Sequence, residues 1–319
     1  MALDPATDAR PLEIGLSLPT WPLRDGSYAS WPTMRRLART IEAMGVDTLW
    51  VADHLQRHTA ARGTFGFWEC WTILTAAAET TSRIGIGPLI ACTGFRNPAL
   101  LAKMAVTLDE VSGGRLVLGL GSGVPARDPS WAAFGYDGSR HVAKYAEAVE
   151  IVARLLREPS VTFSGEHYRT DEAQLIPSGP RPDGLPVLVA GLGERTLAVA
   201  ARFGDLVNVN RPLSSRAESD GVIEAAAAAC EAVGRDPATL AVTGWARLAV
   251  DAAGVAVARP GYLAGDPAAV AGTVDEIRAA GVRHLTFYIG AADDPSPLPA
   301  LTDATLAAFE PFLEAIRAG

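Results

Sequence analysis

The chain has 319 residues, of which 49% are apolar and 20% charged, a balance typical of a folded globular protein. Its 28 basic and 36 acidic side chains give a formal net charge of −8, which argues against binding to nucleic acid or to an anionic membrane surface. No apolar run is long enough to predict a membrane span or a signal segment. Three widely spaced cysteines favour a reducing, cytoplasmic location over a disulfide framework.

Short apolar runs alternate with helical patterns along the chain, as expected for parallel strands covered on both faces. The predicted strands are Glu13–Leu18, Thr48–Ala52, Ile84–Ile90, Leu116–Leu120, Val187–Ala190, Leu206–Val209, Ala246–Val250 (with a start as early as Ala241) and Leu285–Ile289. The predicted helices are Trp31–Met44, Trp68–Thr80, Pro98–Val111, Ser139–Arg157, Glu194–Phe203, Ser219–Val233, Pro267–Ala280 and Thr302–Arg317. This alternation favours a (β/α)8 TIM barrel, with a doubly wound sheet as the rival.

One irregular stretch, residues 158–186, interrupts the alternation between the fourth helix and the fifth strand. Within it, Val161–Phe163 and His167–Arg169 flank Ser164-Gly165-Glu166, which predicts a small hairpin. We interpret the stretch as an insertion rather than a boundary, so that residues 1–319 form a single domain. A second loose region, Asp251–Gly265, follows the seventh strand, and loops of this length are commonly functional or mobile.

Polar residues follow several predicted strands, at the end of a barrel where catalytic groups collect. The sharpest pair is Asp53-His54, because an ionisable residue leaving an apolar strand is costly unless it is paired or used. Imidazole can also move a proton near neutral pH. A capping aspartate beside a solvated histidine is the structural alternative. His54 and His58 have the spacing of a metal pair, but no third ligand cluster accompanies them, so we expect no metal site.

Two glycine-rich turns follow the fourth and fifth strands. Glycines let a backbone approach a ligand, and free N–H groups at a helix start bind phosphate. Each turn could equally be a tight strand–helix connection, and neither follows the first strand, as a dinucleotide-binding turn would. Together they favour a phosphate-bearing cofactor across the barrel mouth. The candidate contacts in these turns are Gly121, Ser122, Ala190, Gly191, Leu192, Gly193 and Glu194.

An ordered series of segments resembles the bacterial luciferase-like superfamily. The series consists of Trp50–His54, Phe95–Lys103, Leu108–Leu116, Gly119–Gly123, Val161–Tyr168, Gly191–Arg195 and Gly281–Leu285. The resemblance implies a (β/α)8 barrel that binds a flavin or the deazaflavin F420, and a homodimer is a family-level expectation. Asp53-His54 and Phe95-Arg96-Asn97-Pro98 look most like the F420-dependent branch.

The resemblance also implies roles for particular residues. Asp53 would contact the cofactor, and His54 would lie near the reactive carbon of its ring. A non-proline cis peptide is implied between Leu89 and Ile90, behind the ring. Members that oxidise sugar phosphates carry a glutamate where this chain has Val124, which argues against that substrate. Arg127, Asp128, His141 and Tyr288 are other polar residues that could serve a different substrate.

The leading hypothesis is an F420-dependent oxidoreductase that moves a hydride between the cofactor and a small organic substrate. His54 would donate or accept the substrate proton, or stabilise the reduced ring. The main alternative is a monooxygenase that uses reduced FMN and O2 on the same barrel. The turn at Gly119–Gly123 leaves a methyltransferase that uses S-adenosylmethionine as a further alternative, and a protein that binds cofactor without turnover as another.

Overall fold

The structure is a computed structural model that describes residues 12–60, 62–191, 193–294, 296 and 299–319. The strands, in chain order, are β1 (Glu13–Ser17), β2 (Thr48–Val51), β3 (Gln56–Thr59), β4 (Gly63–Gly66), β5 (Gly85–Pro88), β6 (Ala91–Cys92), β7 (Leu118–Gly121), β8 (Val161–Ser164), β9 (Arg169–Ala173), β10 (Val187–Ala190), β11 (Leu206–Pro212), β12 (Ala241–Val250) and β13 (Val282–Ala291). The helices are α1 (Trp31–Ala43), α2 (Cys70–Thr80), α3 (Pro98–Ser112), α4 (Ser130–Ala133), α5 (His141–Leu155), α6 (Glu194–Phe203), α7 (Arg216–Glu231), α8 (Pro267–Ala279) and α9 (Asp303–Ala318).

A parallel sheet of nine strands runs in the order β5-β2-β1-β13-β12-β11-β10-β7-β6. Because β5 and β6 stand at opposite ends of this order yet follow each other in the chain, the sheet closes into a ring. Ile86 of β5 completes the closure by pairing with Leu116, just before β7. The predicted (β/α)8 barrel is therefore confirmed, and its third strand, predicted as continuous over Ile84–Ile90, consists of two pieces.

Several local features differ from the prediction: α4 was not predicted, α7 begins at Arg216 rather than Ser219, and two differences lie after β2. The loop after β2 contains a hairpin, β3–β4, in which Arg57 pairs with Phe65. This hairpin is polar and partly exposed, so it lacks the alternation that identifies a half-buried strand. The predicted start of the second helix at Trp68 is wrong, because the Glu69 side chain accepts hydrogen bonds from the N–H groups of Trp71 and Thr72 and caps α2 there.

The predicted hairpin in the insertion is confirmed as β8 and β9, which pair in the antiparallel direction. The Glu147 side chain of α5 fixes its turn. That carboxylate accepts hydrogen bonds from the backbone N–H groups of Glu166, His167 and Tyr168, at 2.8, 2.9 and 2.9 Å. The insertion is thus attached to the outer helix that precedes it.

The barrel interior is filled beneath its mouth. Trp50, Val117, Leu188 and Leu206 are fully buried and form one apolar cluster there. A Cβ atom at Gly87 would lie 2.2 Å from the Val117 carbonyl oxygen, so this position must be glycine for the cluster to form. This cluster leaves the barrel interior packed with side chains rather than open as a channel. Within the ranges given above, no helix is both long and apolar enough to cross a bilayer.

His284 makes stability depend on pH, because its ring lies in this interior, 5.4 Å from the Trp50 ring. Burial lowers the pKa of His284 to about 3. In the unfolded chain the His284 imidazole takes up a proton near pH 6.5, whereas in the folded chain it does not. Above pH 6.5 the neutral ring therefore costs no stability. As the pH falls from 6.5 toward 3, the free energy of unfolding decreases by about 1.4 kcal/mol per pH unit because of this group. We expect urea unfolding at pH 7 and pH 5 to show a smaller difference in His284→Gln than in the wild type.

Candidate active site at the barrel mouth

A histidine–aspartate pair stands at the mouth. The segment after β2 carries His54, whose Nδ1 atom lies 2.9 Å from Oδ2 of Asp128. Asp128 is buried and also accepts a hydrogen bond from the Ser130 N–H at 2.9 Å. The Phe67 ring packs against the imidazole, with 5.2 Å between the ring centroids. The His54 side chain is 39% exposed, and its Nε2 atom bonds to none of the described residues, so this nitrogen can meet a ligand.

The charge of Asp128 determines which nitrogen of the His54 imidazole carries the proton. Burial acts to raise the pKa of Asp128, but hydrogen bonds from His54 and Ser130 outweigh it and hold the pKa below its usual value. An ionised Asp128 accepts the Nδ1 proton and leaves Nε2 as the basic nitrogen. The pair therefore has the geometry of a proton-transfer group.

Asp53 lies below this pair and is fully engaged by protein groups. Its carboxylate accepts hydrogen bonds from both terminal nitrogens of Arg96, at 2.6 and 3.0 Å, and from the Cys92 N–H at 2.8 Å. Arg96 also donates to Glu69 at 3.0 Å. Burial acts to lower the pKa of Arg96, and the charge of Asp53 raises it again to above its usual value. Asp53 thus ties β2 to the third strand, and its contact with a cofactor stays a prediction.

The third strand bulges between its two pieces. The Leu89–Ile90 peptide bond is cis, which confirms the prediction for this position. The bulge lies against two glycines of β7, since a Cβ atom at Gly119 or Gly121 would lie 2.8 or 2.6 Å from the Ile90 side chain. Packing against Ile90 therefore requires glycine at both positions. The contacts of Leu89, Ile90 and Gly121 with a cofactor are not tested by this packing.

The remaining residues of the first glycine turn serve local structure. Ser122 is half-buried, and its hydroxyl donates to the Gly123 carbonyl at 3.1 Å. His58 lies in the β3–β4 hairpin with Nδ1 3.1 Å from Oγ1 of Thr64, so it and His54 have different partners. In the part of the chain that the structure describes, no three His, Cys, Asp or Glu side chains are grouped to hold a metal.

The second glycine turn begins with two residues that packing explains. The Ala190 carbonyl accepts a hydrogen bond from the Tyr145 hydroxyl at 2.9 Å. The Gly191 N–H donates to the Asn208 carbonyl at 3.0 Å, so it is not free for a ligand. A Cβ atom at Gly191 would lie 2.5 Å from Oγ1 of Thr196, which excludes a side chain there.

The end of this turn is open. Gly193 is exposed, and a Cβ atom there would have no neighbour within 4 Å. The Gly193 carbonyl accepts from the N–H groups of Thr196 and Leu197, so α6 begins directly after it. Glu194, the first residue of α6, is also exposed. Leu192, the remaining candidate in this turn, lies outside the described residues. The space beside Gly193, where α6 begins, is thus open.

These features define a (β/α)8 barrel that can bind a ligand across its mouth, with a proton-transfer pair on one side and a helix start on another. Residues 12–309 match the model of a family described as luciferase-like monooxygenase. The chain belongs to that family, and the resemblance found in its sequence is confirmed.

Two curated relatives use F420 according to their names. The F420-dependent glucose-6-phosphate dehydrogenase of Intrasporangium calvum is 35% identical over 170 residues, which are 51% of this chain and 49% of that protein. The F420-dependent hydroxymycolic acid dehydrogenase of Mycobacterium tuberculosis is 32% identical over 206 residues, 64% of this chain and 55% of that protein. The chain therefore spans about half the length of the curated relatives it matches.

Solved structures support the fold. An F420-dependent secondary alcohol dehydrogenase in complex with an F420–acetone adduct superposes with a TM-score of 0.76 at 20% identity, covering 97% of this chain and 99% of that chain. The EDTA monooxygenase from Chelativorans sp. BNC1 superposes with a TM-score of 0.76 at 15% identity, covering 97% and 94%. At such identities the likeness extends to the barrel alone.

Proposed function

We propose that the protein is an F420-dependent oxidoreductase that moves a hydride to or from a small organic substrate. The observation that carries the proposal is the His54–Asp128 pair, whose Nδ1 and Oδ2 atoms lie 2.9 Å apart. Exchange of a hydride between an alcohol and a carbonyl needs a group that moves a proton at the oxygen. The names of the curated relatives support F420 as the partner in this exchange.

The residues at the mouth fit a phosphate-bearing deazaflavin. Gly193 has open space around it, and the N–H groups that begin α6 can receive a phosphate. Leu89 and Ile90 would lie behind the ring, and Gly121 and Ser122 would lie beside it. Ala190, Gly191 and Glu194 would lie on the phosphate side of the mouth. When bound, the deazaflavin supplies a carbon that accepts or gives the hydride.

His54 performs the proton transfer in this proposal. Its Nε2 atom takes the proton from a substrate hydroxyl during oxidation and returns it to a carbonyl oxygen during reduction. Asp128 keeps the Nδ1 proton in place, so that the imidazole presents the basic nitrogen to the substrate. Asp53 and Arg96 hold the third strand below the reacting groups.

Equilibrium binding of F420 and FMN to the purified protein, measured side by side, tests the proposal. We expect F420 to bind at least tenfold more tightly and no O2 to be consumed during turnover. Tighter binding of FMN together with consumption of O2 would instead support a monooxygenase. The description of the family as luciferase-like monooxygenase makes this the second candidate function. Binding of S-adenosylmethionine in place of both would favour a methyltransferase.

Gly193→Val should weaken F420 binding and leave the fold intact. The glycine has φ −87° and ψ 156°, which valine can adopt, and no neighbour stands in its way. A branched side chain there would obstruct the helix start, and we expect an affinity loss of about tenfold, equivalent to ~1.4 kcal/mol. Fluorescence titration gives the affinity and thermal unfolding checks the fold. Gly272→Val, at another open position on α8, is the control. Unchanged affinity in Gly193→Val would remove this turn from the site.

We extend the proposal to a cytoplasmic homodimer acting on a small molecule. Cys70, Cys92 and Cys230 are buried free thiols, which suits a reducing compartment. The homodimer rests on the family resemblance. Light scattering after size-exclusion chromatography measures the mass, for which we expect twice the chain mass of 33.4 kDa. A single species of one chain mass at micromolar concentration would contradict the dimer.

A further inference from the structure

An arginine and a tyrosine stand side by side at the ends of β12 and β13. Arg247 and Tyr288 are partners in the parallel register of these strands, so their side chains lie on the same face of the sheet. The alternate residues Leu248 and Phe287 belong to the core beneath the outer helices. Arg247 and Tyr288 therefore face the inside of the barrel, near its mouth.

Aromatic rings surround the Arg247 guanidinium. Its central carbon lies 4.7 Å from the centroid of the Trp245 ring and 5.4 Å from that of Tyr262. The Trp245 ring in turn meets the Tyr288 ring edge-on at 5.5 Å. Tyr262 comes from the loop after β12, which is anchored by a 2.9 Å hydrogen bond from the Leu263 N–H to the Arg247 carbonyl. The guanidinium thus lies over two aromatic faces and makes cation–π contacts with both.

The Arg247 side chain lacks a hydrogen-bond acceptor among the residues that the structure describes. Its Nε atom is buried without a hydrogen-bond partner, and within the described ranges no carboxylate pairs with the side chain. A buried donor left unsatisfied typically costs ~1–3 kcal/mol. Nearly all buried polar groups in proteins are satisfied, so an orphaned guanidinium donor at a barrel mouth indicates a partner that arrives from outside.

Tyr288 and Arg57 add a hydrogen-bond donor and a second positive charge near Arg247. Burial raises the pKa of Tyr288 to about 12, although the positive charges of Arg247 and Arg57 act against burial. The phenol is therefore neutral and a donor at physiological pH. Arg57 lies in β3, three residues after His54, and forms no ion pair with any residue whose position the structure gives. Arg247 and Arg57 are thus both near the Tyr288 phenol.

We propose that Arg247, Tyr288 and Arg57 bind a carboxylate of the substrate, while Trp245 and Tyr262 contact a flat apolar body attached to it. A guanidinium edge matches a carboxylate in a bidentate geometry, and the rings exclude water from the pair. A phosphate site would be expected at a glycine turn and a helix N-terminus, such as those at Gly193 and α6. The site around Arg247 has neither, so a carboxylate suits it better than a phosphate. The inference rests on the proposed function for the reaction, but the binding itself can be measured without turnover.

Benzoate and benzamide, which share a ring and differ in charge, are the probes. Calorimetric titration into the cofactor-free wild type should show benzoate binding at least tenfold more tightly than benzamide. Arg247→Gln should abolish this preference, and Arg247→Lys should restore part of it, because lysine keeps the charge without the planar fork. Arg39→Gln, which removes an exposed arginine of α1 far from the mouth, is the matched control and should bind like the wild type. Tyr288→Phe, which removes only a hydroxyl, should lower benzoate affinity about threefold to tenfold.

F420 titrations of the same variants separate the two proposals. Unchanged F420 affinity in Arg247→Gln, together with loss of benzoate binding, supports a substrate carboxylate. A loss of F420 affinity in Arg247→Gln would assign this subsite to the acidic tail of the cofactor and overturn the inference. Equal binding of benzoate and benzamide by the wild type would also overturn it, as would displacement of benzoate by a lower concentration of inorganic phosphate. If F420 fails to bind the wild type while the benzoate preference holds, the proposed function fails and the carboxylate subsite stands.

Discussion

Replacing His54 by alanine should lower kcat by about 10²–10⁴-fold, the usual contribution of a general acid–base group, while F420 still binds with nearly the wild-type affinity. The Nε2 atom that would meet the substrate is lost, whereas none of the proposed phosphate contacts involves this side chain. A group that acts only in the transition state changes kcat more than it changes binding. Steady-state kinetics with a substrate found by screening alcohols and hydroxy acids, and a fluorescence titration of F420, measure the two quantities.

Asp128→Asn provides the comparison for His54→Ala. It keeps the shape of the side chain that contacts Nδ1 but removes the charge that fixes the tautomer, so we expect a smaller loss in kcat, about tenfold. Asp137→Asn is the control. Asp137 also follows β7, but its carboxylate is exposed and pairs with Lys144 rather than with His54. Near-normal turnover by His54→Ala at saturating F420 would leave a solvated histidine as the better description.

Periodicity predicted the barrel because each strand is a short apolar run followed by an amphipathic helix, and such signals are local. The pairing of His54 with Asp128 has no local signal, since 74 residues separate them and a loop conformation brings them together. The sequence therefore identified Asp128 only as a polar residue without an assigned role. The stacking of Arg247 between Trp245 and Tyr262 was missed for a similar reason, because Tyr262 reaches it from an irregular loop.

The glycine turns show that a glycine can be required for either of two reasons, close packing within the fold or close approach of a ligand. Gly121 and Gly191 were predicted to contact a cofactor, and both are required by packing, against Ile90 and Thr196. Gly193 is different, because nothing in the fold occupies the space beside it. A sequence pattern cannot separate these cases, since the decisive atom lies on another strand or on the following helix. Of the three candidate glycines in these turns, Gly193 is thus the one that packing does not explain.

Arg96→Met should destabilise the protein by ~3–5 kcal/mol, the typical cost of removing one partner from a buried ion pair. The Asp53 side chain is 1% exposed and that of Arg96 is 12% exposed, so solvent cannot replace the lost guanidinium. The carboxylate would keep only the Cys92 N–H and would lie charged in an apolar surrounding. Denaturant unfolding followed by circular dichroism measures the free energy of unfolding.

Two further variants test whether burial is the cause of this loss. Arg36→Met breaks an ion pair with Asp303 that has a comparable N···O distance, 2.6 Å, but is exposed, so its stability should barely change. Asp53→Asn combined with Arg96→Met removes both charges, and it should recover part of the loss because no uncompensated carboxylate remains. If Arg96→Met is as stable as Arg36→Met, the pair does not anchor the third strand. Equal instability of the single and double variants would mean that the cation–π contact of the Arg96 guanidinium with Trp71, rather than its pairing with Asp53, holds the strand in place.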